Sequence, residues 1–392
     1  MVEYNKQLVH YIGEEAFILS KFQLTLSTDY VPDWTCVEAV RELFQNALDN
    51  QTVNPENEMF WEYLAAENIL RIGNKTSVLT LDSLLLGFST KRDDERTIGT
   101  HGEGYKIALM VLLREGKEVT IYNYGRGEVW RTRLVRSRKF NGVSVPEILV
   151  DRKYRWLRKP SHDLIIEIRG ISEEEYQAIV ESNLHLQGKL EGYSTENNSG
   201  FILTDPKYQG KFFVNGLFIC HNTNFWYGYD VNPKYIRLDR DRKLVDTIDL
   251  AFITSRMWRY ANQPKLVAQM LMADVLDVRY VKSLAYYRPY SDERQIDFDI
   301  QRELREEFKS SYGNNAIPVS DNYTLERVQR SKQDVRPVLV SKPVVEYLEN
   351  DDEIASVEFV PVKTRLMEWY EGVESKLTDE EKDSFLAILE DL

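Results

Sequence analysis

The sequence predicts an α+β fold on three observations. Helical apolar spacing appears at 36–50 and again at 105–113, four strand-like segments crowd into 118–170, and the strands look antiparallel rather than doubly wound. At 392 residues and 43 % hydrophobic composition, the chain has material for a sizeable core spread over two or three domains.

The elements follow in order. In "CVEAVRELFQNALDN" the residues Val37, Val40, Phe44, Ala47 and Leu48 form one apolar helical stripe, and Glu38, Glu42, Asn46 and Asp49 form the opposite one. "ENILRIG" reads as a strand with "SVLTL" as its continuation, and "LDSLLLGFSTKRDDERT" as a short helix capped by Asp82 and followed by a polar loop. Next come three glycines, Gly99, Gly102 and Gly104, running into the apolar helix "YKIALMVLL". The strands "EVTIYNYG", "EVWRTRLV", "EILVD" and "DLIIEIRG" come after it; in the second, Arg131 and Arg133 alternate with Thr132 and Leu134 as in a half-buried strand. "GKFFVNGLFICHN" reads as two strands around an Asn215-Gly216 turn, and "TIDLAFITSRMWRYA" as a helix. Residues 262–312 are mainly helical in pattern, and "NAIPVS" and "VRPVLVS" flank the helix "TLERVQRSK" as short strands. At the end, Thr378 caps a helix with Glu381 three residues on, and Phe385, Leu386, Leu389 and Leu392 make an apolar stripe that docks in cis or on a partner.

Charge is unevenly distributed. The net charge is −13, but residues 345–392 alone hold 15 acids against 4 bases. Conversely, residues 126–160 hold 11 Lys or Arg against 3 acids, with Arg152, Lys153, Arg155 and Arg158 interleaved with Tyr154 and Trp156. That stretch reads either as a footprint for a nucleic-acid backbone or as a solvated strand face. Cys36 and Cys220 lie in apolar stretches without metal-ligand spacing and are expected to be reduced thiols, and the five histidines show no zinc spacing. The acidic start lacks the pattern of a signal peptide, and no apolar run reaches roughly eighteen residues. The expectation is a soluble protein of a reducing cytoplasm with no membrane partner.

The glycines before a helix have a chemical reading. Without Cβ atoms, successive N–H groups can point one way, and a helix starting there adds its positive end, so the pair can cradle phosphate oxygens. No G-x-x-x-x-G-K-[ST] motif occurs, which excludes a Walker loop. On the earlier helix, Glu42 and Asn46 are i, i+4 neighbours, the spacing needed for a carboxylate to activate a water beside an amide-held magnesium ion. Alone, that stripe reads first as a solvent-facing polar edge.

Together these motifs resemble the GHKL ATPase superfamily, which includes type II topoisomerase ATPase regions, MutL, histidine kinases, the ninety-kilodalton heat-shock chaperone and the Microrchidia proteins. "RELFQNALDN" looks like its N box, and "TIGTHGEGYKIA" looks most like the second glycine box of the chaperone and Microrchidia branches; coverage is clear over about 36–130. The resemblance implies a Bergerat-type α/β sandwich binding ATP and Mg2+. It makes Glu42 the general base, Asn46 the magnesium ligand with Asp49 beside it, and Gly99, Gly102 and Gly104 the phosphate cradle. Lys106 would reach a phosphate or lie on the surface. His101 would donate to a phosphate or face solvent, and Ser89, Thr90 and Lys91 would belong to a lid or to a plain polar loop. One position departs from the pattern: Asn74 stands where the family has its adenine-reading aspartate, and Thr76 and Val78 where it has glycines. An asparagine oxygen still accepts a hydrogen bond, but without charge. The motif variant also resembles uncharacterised GHKL-type proteins of phage and bacterial genomes.

Residues 200–260 resemble the transducer module that follows the ATP-binding domain in several branches. Arg240 before Asp241 would then reach the γ-phosphate, with Arg242 and Lys243 as alternatives; surface ion pairing within "DRDR" is the competing reading. The implied organisation is an ATP-binding domain over 1–190, a transducer-like α/β domain over 191–262, and a helical and small α/β region with an acidic tail over 263–392. The implied activity is slow, magnesium-dependent ATP hydrolysis driving a lid or dimer switch that acts on DNA or a protein client. The alternative is a non-hydrolysing, ATP-sensing scaffold; no phosphoacceptor helix favours a histidine kinase.

Overall fold

The computed structural model describes residues 18–81, 104–138, 141–151, 162–236, 246–284, 291–330, 334–349, 351–357 and 362–390. It forms two compact units, Met1–Ala261 and Asn262–Leu392. The class is α+β, as the pattern predicts.

The first unit is built on a seven-stranded antiparallel sheet. Its strands are β1 (Ile18–Gln23), β2 (Met59–Leu64), β3 (Ile69–Asn74), β4 (Glu118–Asn123), β5 (Glu128–Arg136), β6 (Ser144–Asp151) and β7 (Leu164–Arg169). They lie in the order β1-β6-β5-β4-β7-β3-β2. Helices α1 (Cys36–Val53), α2 (Gly104–Arg114) and α3 (Glu173–Glu181) contribute to the unit's main hydrophobic core. That core joins Val40, Leu43 and Phe44 of α1 and Leu109 and Met110 of α2 to sheet residues such as Ile72, Ile121 and Ile166. The apolar stripe read from α1 is therefore its core face.

α1 starts where a capping box dictates. The Glu38 carboxylate accepts from the Thr35 backbone N–H at 2.8 Å, and the Thr35 hydroxyl accepts from Val37 N at 3.3 Å. The last residue of α2, Arg114, donates to four backbone carbonyls, those of Thr28, Tyr30, Val31 and Trp34, and so ties the segment entering α1 to the end of α2. The two helices are thereby fixed to each other at the end opposite to Gly104.

Two expectations need correction. "SVLTL" does not continue β3: the chain leaves the sheet at Asn74, turns through Thr76 at φ 49°, and residues 77–80 are irregular. In β5 the alternation breaks, because Leu134 is 36 % exposed while Thr132 and Arg131 are both half-buried. Towards its end β5 pairs only with β6 near the sheet margin, so neither face is fully covered.

A second, five-stranded sheet completes the first unit, with strands β8 (Gly192–Ser194), β9 (Gly200–Leu203), β10 (Lys211–Val214), β11 (Leu217–His221) and β12 (Gly228–Val231) in the order β11-β10-β12-β9-β8. The Asn215-Gly216 turn is as read: both residues have positive φ, 49° and 77°, which a tight two-residue hairpin demands. Helix α4 (Thr247–Arg259) buries Met257 and Trp258, and the Trp258 indole donates to the Tyr229 hydroxyl at 2.8 Å.

The second unit holds helices α5 (Pro264–Met272), α6 (Ser291–Tyr312), α7 (Asn322–Arg330), α8 (Lys342–Leu348), α9 (Val362–Val373) and α10 (Asp379–Glu390). Strands β13 (Ala316–Val319) and β14 (Arg336–Leu339) flank α7, as the pattern predicts, and pair in parallel. Arg305 of α6 ties the turn after α8 through Asp351 at 3.2 Å.

Candidate functional site

The polar stripe of α1 is not a solvent-facing edge. Glu42 and Asp49 are buried and Asn46 is half-buried. The start of α2 lies against Glu42 and Asn46. A Cβ placed on Gly104 would lie 3.0 Å from Glu42 Oε2 and 3.0 Å from Asn46 Nδ2, so glycine is what lets α2 begin against the acid–amide pair. Asp49 accepts from Gln45 Nε2 at 2.7 Å, and burial together with the Asp49 charge raises the hydroxyl pKa of Tyr105, the next residue of α2.

The orientation of Asn46 is set locally. Its Nδ2 donates to the Glu42 backbone carbonyl at 2.8 Å, one helical turn back. The nitrogen end is thereby engaged, and the oxygen is the end the amide has for a hard cation. A carboxylate and an amide oxygen beside a helix N-terminus suit magnesium and phosphate chemistry. Among the described residues no cluster of three or more His, Cys, Asp or Glu is arranged to hold a metal, so a cation here would depend on Asn46, water and a ligand's own oxygens.

Lys106 corrects one reading: it is not a surface lysine. Its side chain is fully buried on the first turn of α2, and an ammonium in that position requires compensating partners.

Asn74 has a structural reason to replace an acid. Its Nδ2 donates to the Ala47 carbonyl at 2.9 Å and the Asn57 carbonyl at 2.8 Å, tying the end of β3 to α1 and to the turn before β2. A carboxylate there would face two carbonyl oxygens with nothing to donate. Asn123, across Leu164 in the sheet register, does the same for the segment after β3, donating to the Leu79 carbonyl at 2.7 Å. Close packing at this corner extends to Gly73, where a Cβ would collide with the Leu164 carbonyl and sit 2.6 Å from the Phe60 ring.

Two residues of this region escape sequence reading. Arg41 pairs with Glu42, Nη2 to Oε1 at 3.6 Å, donates through Nη1 to the Phe218 carbonyl of β11 at 3.2 Å, and lies over the Trp34 ring at 5.4 Å. It joins the site carboxylate to the second sheet; the only signal was a base directly before the acid. Asp163, just before β7, accepts from Thr76 N at 3.3 Å and stands beside the Asn74 corner. An acid directly before the apolar run Leu164–Ile166 was its signal.

Away from the site, Asp230 is pushed up to about 6 by burial, against the lowering pull of its hydrogen bond from Gly216 N. Burial also pushes the Cys36 thiol up to about 12 and that of Cys220 up to about 11; both cysteines are free. Arg240, Lys91, Gly99, His101, Gly102, Arg152, Lys153, Arg155 and Arg158 lie outside the described residues. Of the basic stretch that is described, Arg126 pairs with Glu128 at 3.1 Å and Arg133 with Glu147 at 2.6 Å. Among the described residues no helix is long and apolar enough to cross a membrane.

No protein-family model matches the chain. It is 24 % identical over 219 residues to an uncharacterized protein of Mycoplasma pneumoniae, covering 54 % of this chain and 85 % of that one. Similar solved structures include the ATPase region of Saccharomyces cerevisiae topoisomerase II, at TM-score 0.31 and 13 % identity, covering 47 % of this chain and 62 % of that one. They also include the ATPase and transducer domains of DNA topoisomerase II from Balamuthia mandrillaris, at TM-score 0.30 and 15 % identity, covering 47 % of this chain and 60 % of that one. The chain thus spans less than two thirds of either topoisomerase chain.

Proposed function

We propose that the first unit binds ATP with magnesium and hydrolyses it slowly, using the bound and released states as a conformational switch. The observation that carries this reading is the contact of Gly104 with Glu42 and Asn46. It brings the end of the glycine stretch onto the acid–amide pair, two motifs separated by more than fifty residues of sequence. That proximity supports the GHKL reading, in which the two motifs form one site.

In this reading the α2 N-terminus and Lys106 neutralise phosphate oxygens, and the Asn46 amide oxygen faces the cation. Magnesium, when bound, would draw charge from the β- and γ-phosphates. Glu42 accepts a proton from a water as its oxygen joins the γ-phosphorus and the bond to the β-phosphate oxygen breaks, leaving ADP and phosphate. Arg41 relates the Glu42 carboxylate to the second sheet, so movement of β11 would be felt at the base. Glycine positions 99 and 102, Lys91, His101 and a γ-phosphate contact from Arg240 complete the proposed site. A nucleotide-dependent homodimer acting on DNA, through Arg152, Lys153, Arg155 and Arg158, or on a protein client is the proposed output.

The test is phosphate release from magnesium ATP by the wild type and Glu42→Ala, with nucleotide affinity measured calorimetrically on both. The expected result is a fall in turnover of about 10²–10⁴-fold with affinity retained. Nucleotide binding without turnover in either protein would replace the hydrolase by an ATP-sensing scaffold. Absence of binding would end the nucleotide reading altogether.

A further inference from the structure

The second unit carries a surface that the nucleotide reading does not use. Helices α9 and α10 form a hairpin whose inside is closed by Tyr370, stacked on Phe385 with ring centroids 4.9 Å apart, and by buried Leu389. On its outside, Trp369 is 54 % and Ile388 59 % exposed. These two residues, with Leu377 and Phe385, line an open groove of about 570 Å³, and Glu380 and Glu381 stand on its wall. The volume falls inside the roughly 300–1,000 Å³ range of pockets that hold a ligand.

The wall is held in place rather than loose. The Glu381 carboxylate accepts from the Thr378 backbone N–H at 2.8 Å and from its hydroxyl at 2.9 Å, and these bonds hold its pKa below the usual carboxylate range. The first turn of α10 carries three acids, Asp379, Glu380 and Glu381, of which Glu381 is held by these bonds, with Lys382 paired back to Asp379 at 3.6 Å.

Charge decides what fits. Residues 345–392 hold 15 acids against 4 bases, so a second copy docking through this same face would bring two strongly negative surfaces together, and an anionic lipid surface or a nucleic acid would meet the same repulsion. A neutral apolar segment would fill the groove and leave the acidic wall desolvated without a partner. A basic segment with a bulky apolar residue on one face satisfies both parts of the surface. We propose that this groove docks a basic amphipathic helix of a partner protein, its apolar anchor seated against Trp369 and Ile388 and its lysines or arginines against Glu380 and the first turn of α10. The proposal is independent of any nucleotide at the first unit.

The experiment uses the full chain and a synthetic helical peptide with lysines on one face and leucines and a tryptophan on the other. A control peptide has the same composition scrambled so that neither face survives. Calorimetry should show binding of the amphipathic peptide that Ile388→Ser and Trp369→Ser each weaken by about tenfold or more. Glu380→Gln, or raising the salt to about 0.5 M, should weaken it a few-fold. Ile388 is an exposed side chain, so its substitution tests the surface even where the tryptophan variant loosens the hairpin. Equal binding of the scrambled peptide, or no effect of Ile388→Ser, overturns the proposal. So does self-association of the wild type, seen by sedimentation, that Ile388→Ser abolishes, since the occupant would then be a second copy.

Discussion

Helices α1 and α10 begin with the same local device and meet opposite fates. Each opens on a threonine whose hydroxyl and backbone join a glutamate three residues on, Thr35 with Glu38 and Thr378 with Glu381. Each is amphipathic. In α1 the apolar stripe lies in the sheet core, and on the polar one Glu42 and Asp49 are buried, with the start of α2 against Glu42 and Asn46. In α10 the apolar stripe is only partly covered, with Phe385 stacked on Tyr370 of α9 and Leu389 buried while Leu386 and Ile388 stay exposed. The capping signal therefore decides that a helix forms, and the neighbours decide what it does. Burying Glu42 and Asp49 carries a desolvation cost that only a polar environment offsets, which makes the covered stripe a place for chemistry. Leaving a tryptophan and an isoleucine in water makes the open one a place for association.

The largest effect that would break this contrast is at the corner behind α1. Asn74→Asp restores the residue type of the family pattern but removes the donors to Ala47 and Asn57 and brings a buried charge against their carbonyls. We expect a loss of about 3 kcal/mol in urea unfolding of the chain. If the variant instead keeps its stability and gains nucleotide affinity, Asn74 is a base-reading position and not a strut between β3 and α1.

A smaller effect sharpens the same contrast at the other end of the site. Gly104→Ala places a methyl 3.0 Å from both the Glu42 carboxylate and the Asn46 amide. Helix propensity gains about 1 kcal/mol from the change, which offsets most of the crowding in the folded state. Thermal stability should stay near that of the wild type while the ATP turnover proposed above falls of order tenfold, because a displaced Glu42 carboxylate loses the alignment proposed for it. A drop in stability with unchanged turnover would make the contact ordinary packing.

Much of this was legible in the sequence, for stated reasons. The periodicity of α1, the strands β4 to β7, the Asn215-Gly216 turn and the two strands flanking α7 all follow from local spacing. The order of the seven strands was not legible, because pairing of β1 with β6 and of β7 between β4 and β3 is fixed by a core that only the folded chain assembles. Strands β1 and β2 and helix α3 were missed, although Ser172 and Glu175 form a capping box of the same kind as the other two. At the site, Glu42, Asn46 and Gly104 were readable as types in a pattern. The roles of Asn74 and Arg41 were not, since both depend on backbone carbonyls, at Ala47, Asn57 and Phe218, that no side-chain pattern reports.

The smallest expected effect compares the two caps directly. Thr35→Ala and Thr378→Ala each remove the hydroxyl that the capping box uses, a change that costs about 1 kcal/mol in an average helix. In α1 that helix carries Val40, Leu43 and Phe44 into the main core and is bound to the end of α2 through Arg114. Its first turn cannot fray without disturbing the first unit, so the loss at Thr35 should appear whole in the cooperative unfolding of that unit. In α10 the first turn is exposed, and only Phe385 and Leu389 further along are held by α9 or buried. There the same loss should be absorbed by local opening, seen as faster amide exchange over 379–382 with the unfolding midpoint nearly unmoved. Equal shifts of the midpoint in both variants would mean that the α10 face is already covered in solution, and that the groove beside Trp369 is not open to a partner.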